Sequence, residues 1–296
     1  MSALRRGLLS EIRKRLRDAD VSPRRRWSQN FIADPRVFDR IVTAGGFQHA
    51  DTVVEIGAGL GFLTQQIARH AGRMIAFEVD PRLARSLRKL MQALPHVTIV
   101  EGDFLKADLR KFGALVKVVG NIPYHITSPI LEKLIDSKNV HNGILMVQQE
   151  VAERTAAGAG EPGYGRLSLF VQYTFQVEAL FDIPSRAFVP QPKVTSTVVR
   201  LVRRAKPPVE VADAALFFEV IKCGFAQRRK TIQNNLKARL PVPIVERLLA
   251  ESGISPQARA EGLGFEEFRR LSDALWRMRK VAPPFDIIRF DRGEER

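Results

Sequence analysis

Apolar positions along the first half of the chain alternate between two kinds of pattern. Thr52–Ile56, Met74–Phe77, Val97–Val100, Val116–Val119 and Ile144–Val147 are short apolar runs of the length and composition of buried strands. Between most of them apolar residues recur at helical spacing, as in Pro81–Ala93 and Pro129–Asp136. Ahead of the first strand, Asp34-Pro35 pairs an N-cap residue with proline in the first helical turn. Val37, Phe38, Ile41 and Val42 then form one face, and Gly45-Gly46 ends the helix. Strand–helix alternation of this kind predicts an α/β fold with a parallel sheet covered on both faces.

The pattern changes near residue 157. Gly158, Gly160, Pro162, Gly163 and Gly165 predict a loop, Leu167–Phe175 a helix, and Val177–Ile183 with Thr195–Val202 a hairpin-like strand pair closing the sheet. Pro207-Pro208 breaks the chain, and the rest to about residue 280 reads as helix and turn. The plan is therefore an extension over 1–26, a sheet domain over 27–204, a small C-terminal helical domain over 205–282 and a loose charged tail over 283–296. Leu4, Leu8, Ile12 and Leu16 recur every four residues among arginines, which predicts a short basic helix. Glu11, Asp18 and Asp20 interrupt the acid-poor pattern of an organelle transit peptide.

Charge adds a partner to this picture. The 296 residues hold 47 Lys+Arg against 32 Asp+Glu, a formal charge of +15, which favours a polyanionic partner such as RNA. The excess is clustered: residues 1–26 hold nine basic and three acidic residues, Arg24, Arg25 and Arg26 among them. A second cluster contains Lys222, Arg228, Arg229 and Lys230. One cysteine, Cys223, excludes an intrachain disulfide and reads as core packing on an apolar helix face. No stretch approaches the ~20 apolar residues of a membrane span, so a cytoplasmic protein without membrane contact is expected.

Val53-Val54-Glu55-Ile56 leads into Gly57-Ala58-Gly59-Leu60-Gly61, a strand ending in a glycine turn with a helix after it. The GxGxG spacing differs from the dinucleotide fingerprint, whose third glycine comes one position later. Glu78 ends the next strand, 21 residues after Gly57, where an acid can accept from ribose hydroxyls. Asp103 ends the third strand, followed by Phe104, a pair able to accept from an adenine amine and to meet its ring. All three features sit at strand carboxyl ends, which points to a ligand containing adenosine. There is no Walker-type Lys-Ser/Thr for a triphosphate. S-adenosylmethionine fits best, with NAD the rival.

Strand Val116–Val119 runs through Gly120 into Asn121-Ile122-Pro123-Tyr124. An exocyclic adenine amine is a weak nucleophile because its lone pair is delocalised into the ring. The Asn121 side-chain oxygen and the Ile122 carbonyl are suited to accept from that amine and align it. Pro123 would fix the backbone, and Tyr124 offers a ring on which a splayed-out base can stack. No metal ligand set or nucleophilic residue is needed.

These motifs resemble those of the ribosomal RNA adenine dimethyltransferase family over about residues 27–275. Ser28-Gln29-Asn30-Phe31-Ile32 is similar to the family's G-Q-N-F-L opening, with Ser28 in place of glycine. The resemblance implies a Rossmann-like S-adenosylmethionine methyltransferase sheet with a small C-terminal helical domain. It also implies that Asn30, Ile32, Gly57, Glu78, Asp103 and Asn121 contact the cofactor, with Gly59 and Phe104 at the same site. Phe188-Val189-Pro190-Gln191-Pro192-Lys193-Val194-Thr195-Ser196 resembles the F-x-P-x-P-K-V-x-S of the small-subunit branch, and Phe225 through Thr231 its F-A-Q-R-R-K-T. Phe188 would then give a second face to an aromatic clamp, and Lys193, Arg228, Arg229 and Lys230 would grip phosphates. Ile122 and His125 are closer to the large-subunit, macrolide-resistance branch. The two downstream motifs outweigh them and imply dimethylation of two adjacent adenines in the 3′-terminal helix of small-subunit RNA. The partner would be the assembling 30S-type subunit, and the protein a monomer. Two further alternatives are a non-catalytic RNA-binding assembly or transcription factor and a DNA adenine methyltransferase.

Overall fold

A computed structural model describes residues 3–21 and 30–281. The chain divides into two compact units. Met1–Glu153 with Phe175–Arg203 forms the first, and Arg154–Thr174 with Arg204–Arg296 the second.

Among the described residues nine strands lie in the first unit: β1 (Phe31–Ile32), β2 (Thr52–Ile56), β3 (Arg73–Glu78), β4 (Val97–Glu101), β5 (Val116–Asn121), β6 (Val140–Gln148), β7 (Phe175–Ile183), β8 (Phe188–Val189) and β9 (Ser196–Arg203). Seven of them form one sheet in the order β4-β3-β2-β5-β6-β9-β7. β4 to β6 run parallel, and β9 is antiparallel to both β6 and β7. The central strands are buried because helices cover the sheet, which is why they read as unbroken apolar runs. The expected hairpin closes the sheet with its second strand inside: β9 pairs with β6, leaving β7 at the edge.

Local chemistry explains the helix ends. Asp34 and Asp80 each accept a hydrogen bond from a first-turn amide (Arg36 and Arg82), with proline at the next position, and Gly46 closes the first of these helices in the left-handed region at φ 50°. The second helix stops at Leu90, three residues short of the expected end. Strand β6 starts four residues before its apolar run, because Val140-His141-Asn142-Gly143 lacks the apolar signature yet still pairs in the sheet. The basic N-terminal helix forms over Ala3–Asp18 and buries Ile12 completely.

The second unit is helical, with helices at Arg166–Thr174, Ala214–Gly224, Ile232–Lys237, Val242–Ser252 and Phe265–Val281. Its core gathers Phe217, Val220, Leu236, Leu248, Phe268 and Leu271. This corrects a single cut near residue 204, since 154–174 also belongs here. Tyr164 and Leu169 are buried in this core, and Tyr164 Oη donates to the Leu263 carbonyl at 2.8 Å. Cys223 is buried in the same core, and burial raises its thiol pKa. Among the described residues no helix is long and apolar enough to cross a membrane.

Candidate active site

The sheet changes direction between β2 and β5, since the strands that follow β2 build outward through β3 and β4 while those after β5 build the other way. Loops leaving the carboxyl ends of strands diverge at such a point and open a crevice. Glu78, Asp103 and Asn121 all lie at such strand ends, whereas Asn30 comes in from the segment ahead of β1.

The glycine turn follows β2. Gly57, Gly59 and Gly61 have φ of 71°, 57° and 79°, a region that only glycine adopts without strain. The Gly57 and Ala58 amides both donate to the Phe77 carbonyl, at 3.0 and 2.9 Å, and the Gly59 amide donates to Glu78 Oε2 at 2.8 Å. Glu78 Oε1 accepts from the Asp80 amide at 2.9 Å. Burial raises the pKa of this carboxyl, and the amide hydrogen bonds work against the rise. Glu78 thus holds the turn in addition to offering its remaining lone pairs to a ligand.

Two cavities open here, side by side. The first is lined by Asn30, Ile32, Gly57, Gly59, Glu78 and Asn121 among others. The second is lined by Gly102, Asp103, Phe104, His125, Ile126 and Ile130, and Gly57, Val79 and Pro123 border both. Asp103 Oδ1 accepts from the Leu105 amide at 2.9 Å, which leaves Oδ2 as the oxygen open to a ligand. Phe104 packs edge-on against Phe77, with ring centroids 5.6 Å apart. Among the described residues, no lysine or arginine lines either cavity.

Asn121 ends β5, and its Nδ2 donates to the Asn30 carbonyl at 2.9 Å, fixing the amide plane. Gly120 is required just before it, because a Cβ there would lie 2.6 Å from the Ile56 carbonyl oxygen. Ile122 is buried, and its amide donates to the Met146 carbonyl at 3.0 Å. Pro123 has φ −58°, and its carbonyl accepts from the Ile126 amide. Tyr124 Oη lies 2.9 Å from Ser196 Oγ, and burial raises the phenol pKa. Ser196 is completely buried.

Several expected residues lie elsewhere or act differently. β1 and β8 pair antiparallel, with Ile32 opposite Phe188, so the opening motif and the F-x-P motif meet as one ladder. Phe188 is only 2% exposed and sits in the cluster of Ile32, Phe38 and Met146, so its ring has no open face for a base. It is a core residue behind the site, which corrects the aromatic-clamp expectation. Lys193 is exposed. In the second unit Arg228, Arg229 and Lys230 are exposed on a non-helical turn between two helices, and Arg228 pairs with Glu261 at 3.2 Å. Asn235 orders that turn: its Nδ2 donates to the Gly224 and Gln227 carbonyls and its Oδ1 accepts from the Gln227 amide. Arg24, Arg25, Arg26, Ser28 and Gln29 lie outside the described residues. Among the described residues no group of three His, Cys, Asp or Glu is placed to hold a metal.

Glu55 was not singled out from the sequence. It is buried under the glycine turn, accepts from Thr64 Oγ1 at 2.6 Å, and burial pushes its pKa up to about 7. A charged residue inside an apolar strand was the available signal.

The family model described as ribosomal RNA adenine dimethylase matches residues 21–276. Ribosomal RNA small subunit methyltransferase A of Bacillus mycoides (strain KBAB4) is 43% identical over 260 residues, covering 83% of this chain and 89% of the relative. Among solved structures, the 23S rRNA methyltransferase ErmE aligns at a TM-score of 0.66 and 30% identity, covering 83% of this chain and 99% of the other. A dimethyladenosine transferase from Plasmodium falciparum aligns at 0.70 and 26%, covering 81% and 95%. With its glycine turn and Asn-Ile-Pro-Tyr segment meeting at the point where the sheet changes direction, this chain belongs to the ribosomal RNA adenine dimethylase family.

Proposed function

We propose that this protein transfers methyl groups from S-adenosylmethionine to the exocyclic amines of two adjacent adenines in the 3′-terminal helix of small-subunit ribosomal RNA. It would act as a monomer on the assembling 30S-type subunit in the cytoplasm. The observation that carries the reading is the Asn121 amide, oriented by the Asn30 carbonyl in the crevice that Gly57, Gly59 and Glu78 also line. The 43% identity to small-subunit relatives, against 30% for ErmE, favours the small-subunit RNA.

The donor set fits this cofactor better than a dinucleotide. A pyrophosphate calls for cationic or amide-rich binding, and among the described residues neither cavity has a basic lining residue. Glu78 would hold the ribose hydroxyls, Asp103 Oδ2 the adenine amine, and Asn30, Ile32, Gly57, Gly59, Phe104 and Asn121 would enclose the rest. When bound, S-adenosylmethionine supplies an electrophilic methyl on a sulfonium.

The chain's own part is alignment. With Asn121 Nδ2 occupied by Asn30, the side-chain oxygen is the group left to accept from the target amine. The Ile122 carbonyl would accept the second N–H, and the rigid Pro123 keeps it in place. These two hydrogen bonds turn the amine lone pair toward the methyl, and the amine proton leaves to water after transfer. Tyr124, tethered to Ser196, gives the base a fixed ring to stack on. Lys193, Arg228, Arg229 and Lys230, with Arg24, Arg25 and Arg26, would contact phosphates.

Incubation with labelled S-adenosylmethionine and undermethylated small subunits should place label in the 3′-terminal helix at two adjacent adenines. Label confined to large-subunit RNA would move the assignment to the resistance branch. Turnover on naked duplex DNA would replace it with a DNA enzyme.

A further inference from the structure

The glycine turn is gripped on one side by Phe77 and Glu78, as described above. Its other side is held by a residue of the N-terminal helix. Arg15, with 14% of its side chain exposed, donates from Nη1 to the Leu60 carbonyl at 2.7 Å and from Nη2 to Gln65 Oε1 at 2.9 Å. Its Nε donates to Glu11 Oε1 at 3.0 Å, and the guanidinium lies 4.0 Å from the centroid of the Phe62 ring. Leu60 and Phe62 both line the first cavity. The guanidinium therefore stands one layer behind the wall that faces the cofactor.

We propose that Arg15 is a positioning residue for the cofactor site, fixing the outer wall of the glycine turn in its binding conformation. This rests on the reading of the crevice as the S-adenosylmethionine site. The physical need is clear from the backbone: three glycines at positive φ make Gly57–Gly61 permissive, so the binding conformation must be selected by outside contacts. A planar guanidinium can satisfy three acceptors in fixed directions while stacking on a ring, which an ammonium cannot do. Glu11 balances its charge, so it adds little repulsion toward a cationic sulfonium. Arg15 precedes residues 21–276 of the family match, so no family motif assigns it this task.

The test is calorimetric binding of S-adenosylhomocysteine to the full chain and to Arg15→Ala, Arg15→Lys and Gln65→Ala, with melting temperatures alongside. Arg15→Ala should bind about tenfold more weakly, a loss of about 1.4 kcal/mol. Arg15→Lys should recover only part of the affinity, and Gln65→Ala should lose about threefold. At saturating S-adenosylmethionine, kcat on small subunits should stay within about twofold, so that the effect appears in KM. A folded Arg15→Ala with unchanged affinity would overturn the proposal, as would a lysine variant equal to wild type. If Arg15→Ala does not fold, Gln65→Ala decides: unchanged affinity there counts against the proposal. Failure of the wild-type chain to bind would instead sink the cofactor reading itself, and this proposal with it.

Discussion

The crevice of the sheet unit and the basic turn of the helical unit use opposite physical means. In the crevice, polar groups are buried or half-buried and tied to neighbours: Glu78 to two amides, Asn121 to Asn30, Tyr124 to Ser196. At Arg228, Arg229 and Lys230 the side chains are exposed, Arg228 in a surface pair with Glu261, and the backbone beneath them is fixed by the buried Asn235. Alignment chemistry depends on dipoles held in place before the substrate arrives, because reorganisation at the moment of reaction raises the barrier. Phosphate binding needs no such order, since solvated cations act at a distance and release counterions on contact. The two regions should therefore fail in different ways.

The largest effect should come from the crevice. Asn121→Ala removes the acceptor and frees the Asn30 carbonyl, so single-turnover methylation should fall about a hundredfold or more. RNA affinity, measured by filter binding, should stay unchanged. Equal methylation by the variant would mean a binding protein and not an enzyme centred on this residue. The helical unit should show the reverse. Replacing Arg228, Arg229 and Lys230 together with alanine should weaken RNA binding about tenfold at low salt and flatten the log–log salt slope by about 2. S-adenosylhomocysteine affinity should not move. An unchanged slope would take these three residues out of the RNA contact.

A smaller effect tests whether the tether inside the crevice matters. Tyr124→Phe keeps the ring and loses the bond to Ser196, a loss of about 0.5–1.5 kcal/mol. Methylation should fall a few-fold, and Ser196→Ala should do the same. The double variant should be no worse than either single one, because both remove the same bond. Additive losses would mean that the two residues act separately.

The same contrast governs what the sequence could reveal. The strands, the glycine turn and Asn121–Tyr124 were legible because each leaves a local mark: an apolar run, a glycine spacing, a proline after an amide. Relations between distant segments were not. Nothing local tells that Phe188 pairs opposite Ile32 and is buried, so its ring was read as a clamp. Residues 154–174, read as a loop and a helix, were placed in the sheet domain because they lie between strands, yet Tyr164 and Leu169 join the helical core. Arg228, Arg229 and Lys230 fell in a stretch that read only as helix and turn, and it is Asn235, five residues beyond Lys230, that folds them into a turn.

Glu55 offers the finest test, because it places a titrating group inside the ordered region. Its carboxyl is buried beneath the glycine turn with Thr64 as partner, and burial pushes its pKa up to about 7 from the ordinary 4.5. The unfolded chain would release this proton near the ordinary value. A raised folded pKa means that the stability linked to the protonated form is full below about pH 4.5 and is lost as pH rises through about 7. Glu78, whose pKa burial also raises, contributes in the same direction and adds to the rise at Glu55 through its charge. Glu55→Gln mimics the protonated acid and cannot ionise. Its melting temperature should therefore be close to wild type near pH 4, gain on wild type between about pH 4.5 and 7, and hold that gain to pH 8. Melting both proteins across that range checks the sign: a constant difference would show that Glu55 does not titrate there. A gain that develops between about pH 4.5 and 7 would locate the strain of the charged form beside the turn that the crevice depends on.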